Sequence, residues 1–305
     1  MNNNTRKIIR KYFNLSVAGT FICTVLILLI LFFILKDIVL NGVGHISWSF
    51  LSESPSGGMK GGGIFPAIFG TAALVFIMTI AVVPIGVITA IYLHEYAHNN
   101  RLTRIIRLAV NNLAGVPAIV FGLFGLGFFV QFVGKGIDGL FFNNELVFGQ
   151  PAIIWAALTL ALLTMPVVIV ATEEALRSIP DEIREASYAL GATKFQTITR
   201  LVLPNSFSGI LTGAILAVSR GAGEVAPILF TGAAYFLPNL PTKLNDQFME
   251  LGYHIFVLST QSPNVTETMP ILYSTVLVLL VLTFLLNLAA VLVRYQLRKK
   301  FQKYN

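Results

Sequence analysis

Charge is what this chain has least of. Only 11% of its 305 residues are Asp, Glu, Lys or Arg, against ~25% in an ordinary soluble domain. That scarcity excludes the division into two water-soluble domains that the length alone would suggest. Cysteine is almost missing as well. The single Cys23 lies in an apolar run, so no internal disulfide framework exists and the redox compartment is left open. No G-x-x-x-x-G-K-[ST] pattern occurs anywhere, and the glycine-rich "SPSGGMKGGG" (54–63) is not a nucleotide loop but a stretch read as flexible. If a nucleotide drives this protein, another subunit hydrolyses it.

Apolar residues, at 55%, are plentiful and run together. Leu15–Leu35, Ile64–Leu93, Leu108–Gly134, Pro151–Thr172 and Met269–Val293 contain no Asp, Glu, Lys, Arg or His. A sixth run, Phe207–Gly232, contains only Arg220 and Glu224. About 20 apolar residues cross a bilayer as a helix, and longer runs allow tilt. Lipid offers the backbone no hydrogen-bond partners, and these runs lack the alternation of barrel strands, so six helices are predicted. Pro84, Pro117 and Pro166 fall inside three of them. The first run is too long for the apolar core of a signal peptide and no small-residue cleavage site follows it, which makes it a membrane helix.

Basic residues orient the helices. Arg6, Lys7, Arg10 and Lys11 precede the first run; Arg101, Arg104 and Arg107 follow the second; Arg177, Arg184, Lys194 and Arg200 follow the fourth; Arg294, Arg298, Lys299, Lys300 and Lys303 follow the sixth. Only Lys36, Lys60, Lys135 and Lys243 fall in the intervening loops. Sixteen against four places both termini in the cytoplasm. The net charge of +7 then follows from topology and attraction to anionic lipid, and needs no nucleic acid.

The loops differ. The outer segment 234–269 carries Pro238, Pro241 and Pro263 and reads as a loop with a short helix near "DQFMELGYHIF". Inside, Glu173–Ser206 is the largest element. Within "DEIREASYALGATKFQTITRLVLP" (181–204), Ile183, Ala186 and Leu190 form one apolar stripe and Phe195, Ile198 and Leu201 a second. Gly191 is expected to break them into two helices. Such a pair either lies on the headgroups or inserts into a partner.

This loop resembles the Glu-Ala-Ala motif, E-A-A-x3-G-x9-I-x-L-P, of binding-protein-dependent ABC importer permeases. Glu185, Ala186, Gly191, Leu203 and Pro204 match; Ser187 replaces the second alanine and Leu201 the isoleucine. "GGIFPAIFGT" (62–71), "GVPAIVFGLFGLGFF" (115–129), "TEEALRSIP" (172–180) and "SRGAGEVAPILF" (219–230) are similar to the phosphate-importer permeases, nearer the PstA than the PstC type. The likeness runs from about residue 62 to the C-terminus. It implies an all-α, six-span permease of the type I ABC importer architecture: residues 1–63 with the first helix and outer loop, a core at 64–293 with the coupling loop at 173–206, and a basic tail at 294–305. The implied role is non-catalytic, with ATP and Mg bound by two copies of a cytoplasmic ATPase that the coupling loop enters, Ser187 facing it. A PstC-like permease, an extracytoplasmic phosphate-binding protein, inorganic phosphate and a bacterial or archaeal cell membrane complete the implied setting. A permease for sulfate or molybdate would share the fold. Where the family commonly reads S-R-A-x-G-E-T-A-P, this chain has Gly221 and Val225, and Gly221 is expected to loosen its helix.

Two constellations carry chemistry. Arg220 and Glu224, four apart, share one face if the sixth run is a helix, and can pair. Intramembrane charges mark substrate paths, and a guanidinium matches phosphate oxygens in a forked geometry, so Arg220, Glu224 and neighbouring Ser219 are the candidate path residues, with a purely structural ion pair as the alternative. "HEYAH" (94–98) satisfies H-E-x-x-H, the zinc motif of metalloproteases. A third ligand from a membrane helix would have to come from Glu224, the only acid in a span, and no metal site is expected. His45 and His254 are assigned no role.

Overall fold

The computed structural model describes residues 3–56, 61–98, 100–262 and 264–301. Six of its helices are long and apolar enough to cross a membrane: Val17–His45, Phe65–Tyr96, Ala118–Phe141, Ile153–Arg177, Lys194–Gly221 and Thr266–Leu297.

Three helices make the core. α1 (Asn3–Gly42) leads through a short α2 (Trp48–Ser52) and a two-residue hairpin, β1 (Pro55–Ser56) and β2 (Gly61–Gly62), into α3 (Phe65–Ile91). Gly57–Lys60, the tip of the glycine-rich stretch, lies outside the described residues, as do Pro263 of the outer loop and Lys303 of the tail. α3 packs along the central α7 (Ile153–Arg177), which also receives α10 (Leu203–Gly221). Met78 and Val82, Ala156, Leu160 and Val168, and Ala217 interlock there, all buried. Lipid tails are as apolar as these side chains, so close approach rather than escape from water selects the contact. A Cβ on Gly86 would sit 2.8 Å from Val168 Cγ1, and one on Gly213 2.7 Å from Ala171 Cβ. Glycine at both places lets the backbones meet.

α12 (Val265–Phe301) packs against α1 as well as against α10. The Ser274 hydroxyl donates to Gly42 O at 2.8 Å and the Tyr273 hydroxyl to Asp37 Oδ2 at 3.0 Å. α12 continues as one helix through Arg294, whose Nη1 donates to Thr212 Oγ1 on α10 at 3.0 Å. α11 (Leu251–Thr260), between α10 and α12 in sequence, is the short helix expected near residue 250. Its start is capped by Glu250, which accepts from Gly252 N (2.8 Å) and Tyr253 N (2.6 Å). Burial pushes this carboxyl up to about 7. His254, one turn on, is buried with neither ring nitrogen hydrogen-bonded, and desolvation pushes it down to about 4.

The third run departs from expectation. Leu108–Gly134 is not one helix: α4 (Arg101–Leu113) stops, Ala114–Pro117 turn, and a new helix begins as α5 (Ala118–Phe124), widens to a π-helix over Gly125–Gly134, and closes as α6 (Lys135–Phe141). Pro117 has no N–H to donate and disfavours helical geometry at Val116, and Gly115 adds freedom at the break. α4 is therefore an amphipathic helix separate from the span.

Candidate functional site

The break that matters most lies in α10. If Gly221 carried a Cβ, that atom would meet the Met78 thioether and approach Thr164 Cγ2 at 3.7 Å. Met78 and Thr164 are near the midpoints of α3 and α7, so α10 ends at half depth. Ala222 N→Val218 O (3.0 Å) is its last helical bond. Beyond it the chain proceeds in turns, through Ile228 N→Val225 O (3.1 Å) and Thr231 N→Ile228 O (3.2 Å), to the N-terminal end of α7, where Ala152 N donates to Thr231 O at 2.9 Å. Non-helical backbone at that depth survives only when protein covers it or it lines a cavity. Ile228 and Thr231 are buried.

The expected continuous helix over Phe207–Gly232 is thus corrected, and Arg220 and Glu224 do not share a helical face. They pair all the same: Arg220 Nε lies 3.7 Å from Glu224 Oε1 across the helix end. Their side chains are 40% and 28% exposed, which turns the pair outward from the subunit. A helix C-terminus carries partial negative charge, and Arg220 occupies the last turn, where a cation is favoured. Ser219 points elsewhere. Its hydroxyl donates to Asn287 Oδ1 on α12 at 2.5 Å, which ties α10 to α12. In the sequence Asn287 gives no signal beyond one amide within "FLLNLAAV". Gly221 serves the approach of Met78 rather than a looser helix.

The loop between α7 and α10 folds as α8 (Asp181–Ala189), a tight turn, and α9 (Lys194–Thr197), which passes through a π-turn at Ile198–Val202 into α10. Gly191 has φ +83°, a conformation open to glycine and strained for other residues. Thr193 and Gln196 cap α9 reciprocally. Of the motif residues, Glu185 and Ala186 are exposed on α8, whereas Leu201, Leu203 and Pro204 lie on the helical run leading into the span. The second apolar stripe therefore belongs to a helix continuous with the membrane. Pro204 cannot donate to Arg200 O, and Asn205 Nδ2 takes Leu201 O at 2.8 Å, so the ladder loosens where the π-turn sits. Ser187 does not face outward: it is half-buried, its hydroxyl 2.9 Å from that of Thr197, bridging the two halves of the bend. Leu190, 90% exposed, and Phe195, 68% exposed, are the apolar side chains that project from the bend.

Arg184 anchors this loop. It is buried, and its guanidinium donates to Ile179 O (2.6 Å), Leu176 O (2.9 Å), Asp181 Oδ1 (3.1 Å) and Glu95 Oε1 (3.0 Å). Glu95 thereby links the end of the second span to α8, and Lys194 Nζ sits 5.2 Å from the centroid of the neighbouring Tyr96 ring. This accounts for "HEYAH". Tyr92–Tyr96 is a π-turn and Ala97 is extended, so His94 and His98 do not stand one helical turn apart on a common face. Among the described residues no three His, Cys, Asp or Glu side chains converge.

Residues 82–303 match the family described as binding-protein-dependent transport system inner membrane component. The chain belongs to this family. This permease is 35% identical over 296 residues to the probable ABC transporter permease protein YqgI of Bacillus subtilis, covering 92% of this chain and 95% of that one. It is 37% identical over 227 residues to the phosphate transport system permease protein PstA 1 of Mycobacterium tuberculosis H37Rv, covering 72% and 69%. In fold it resembles a chain of the crystal structure of a bacterial alginate ABC transporter, with TM-score 0.65 at 14% identity over 98% of both chains. The inward-facing MetNI methionine transporter is similar over 76% of this chain and 94% of that one, with TM-score 0.57 at 18% identity. The permease is a multi-pass membrane protein, and its family works with ATPase and solute-binding partners.

Proposed function

We propose that this chain is the PstA-type permease subunit of an ATP-driven phosphate importer and forms half of the translocation path beside a PstC-like permease. The names borne by its relatives support the substrate, and favour phosphate over sulfate or molybdate. The observation that carries the reading is Arg220, a guanidinium at half depth, at the broken end of α10, on a face turned out of the subunit. An unpaired charge there costs roughly 2.5–3.5 kcal/mol. Glu224 offsets that cost while the path is empty. At 3.7 Å and partly exposed, the pair is loose enough for the oxygens of an arriving anion to compete for the guanidinium. Glu224 also keeps Arg220 from trapping phosphate, so passage needs only weak affinity and selection rests with the extracytoplasmic phosphate-binding protein.

Both termini and the α8–α9 bend face the cytoplasm of a bacterial or archaeal cell. There, two ATPase copies hold ATP and Mg, and one of them takes the Leu190–Phe195 knob. Closure of the nucleotide sites moves the knob, and α9, continuous with α10, carries that motion to Arg220.

The test is the charge swap Arg220→Glu with Glu224→Arg in a reconstituted four-component transporter. A hydrogen bond to a charged group is worth about 1.5–3 kcal/mol, so saturable phosphate uptake should fall roughly ten- to hundredfold while assembly persists. Full uptake with unchanged affinity would remove Arg220 from the path, and wild-type transport of sulfate in preference to phosphate would remove the substrate.

A further inference from the structure

A second basic site lies at the bundle end that carries the coupling loop, far from Arg220. A cavity of about 510 Å³ opens between the end of the second span, α4 and the end of α7. Three guanidiniums line it, from Arg104 and Arg107 on α4 and Arg177 on α7, with His94, Thr103 and Asn111 between them. One carboxylate answers them: Glu173 Oε1 is 3.5 Å from Arg107 Nη2. Arg107 Nη2 also donates to Leu93 O at 2.7 Å, while its Nε is buried with no partner. Arg104 and Arg177 have no ion pair among the described residues. Two of the three guanidiniums around the cavity are thus left without a carboxylate partner among the described residues.

The setting indicates what neutralises them. α4 exposes Leu102 (65%) and Ile105 (60%) on a flank adjoining its arginines. A helix with apolar and basic flanks lies in the headgroup layer of a membrane. A cavity at that level, lined by guanidinium forks and neutral donors, suits a tetrahedral oxyanion.

We propose that this cavity binds a phosphate-class oxyanion, supplied by an anionic lipid headgroup or by free phosphate on that side of the membrane. The bound anion ties α4 to the ends of α3 and α7, directly beside the Glu95–Arg184 link, and so stiffens the base on which α8 rests. Occupancy therefore tunes how firmly the coupling loop is held. The site does not depend on the role of Arg220 or on phosphate being the transported solute.

The assembled transporter, with its partner permease and ATPase, provides the test. Arg104→Gln with Arg177→Gln is compared with wild type and with the double lysine variant, which keeps the charge. Lipid retention is read by native mass spectrometry from nanodiscs of phosphatidylcholine with and without phosphatidylglycerol. Protection of α4 is read by hydrogen exchange with and without inorganic phosphate. Each basic side chain near an anionic surface contributes roughly fivefold, so the double glutamine variant should bind about thirtyfold more weakly. Loss of retained phosphatidylglycerol assigns the site to lipid, and loss of phosphate-dependent protection assigns it to the free anion. Wild-type behaviour of the variant in both arms overturns the proposal. Arg104→Gln alone, at an exposed and unpaired side chain, repeats the measurement at roughly fivefold should the double variant fail to assemble.

Discussion

Removing the Arg184 guanidinium should free α8 from the bundle. In Arg184→Ala, two carbonyls, Leu176 O and Ile179 O, lose a charged donor, and Glu95, whose side chain is only 6% exposed, loses its cationic partner. Breaking a buried pair from one side costs about 3–5 kcal/mol, because the remaining charge stays buried. At tenfold per ~1.4 kcal/mol, α8 should open roughly two to three and a half orders of magnitude more often. Hydrogen exchange over residues 181–189 in the purified transporter reads this directly. Glu95→Gln should cost less, since Arg184 keeps three other acceptors. Arg184→Met with Glu95→Leu should recover much of the loss, as well-packed apolar pairs often replace buried ion pairs at little cost. ATP hydrolysis without matching uptake should accompany the single Arg184 variant. Wild-type protection of α8 in Arg184→Ala would refute the anchoring argument.

Gly191→Ala should destabilise the bend by about 1–2 kcal/mol through its left-handed backbone alone, since nothing lies within 4 Å of the new methyl; Gly191→Pro, which cannot reach φ +83°, should uncouple ATP hydrolysis from uptake. Gly221→Ala should lower thermal stability in detergent by about 1–3 kcal/mol through the clash with Met78, and Met78→Val should restore part of it. Around α11 two titrations oppose each other. The contribution of Glu250 is present in full below 4.5 and is lost as pH rises to about 7. The contribution of His254 is present above 6.5 and is lost as pH falls to about 4. Hydrogen exchange in α11 should therefore show near-constant stability over the shared interval. His254→Phe should make it fall with rising pH and Glu250→Gln should make it rise, each by about 1.4 kcal/mol per pH unit. A flat profile in both variants would exclude the titrations.

Hydrophobic runs and a spaced loop motif sufficed to read six membrane helices and a permease from the chain, because lipid forces apolar segments into helices whatever their neighbours. The position of Gly191 in the bend was legible for a similar reason: a glycine between two apolar stripes is a local signal. The half-depth end of α10, by contrast, is invisible in an apolar run. Only packing shows that Met78 occupies the space beside Gly221 and that α7 takes up the carbonyl of Thr231. Nor could one chain position announce that Glu95 serves Arg184, 89 residues away. Length, topology class and helix content are local consequences of composition in a bilayer. Which charges meet, and on which face they are left open, depends on side chains distant in sequence, and the tertiary structure alone brings those together.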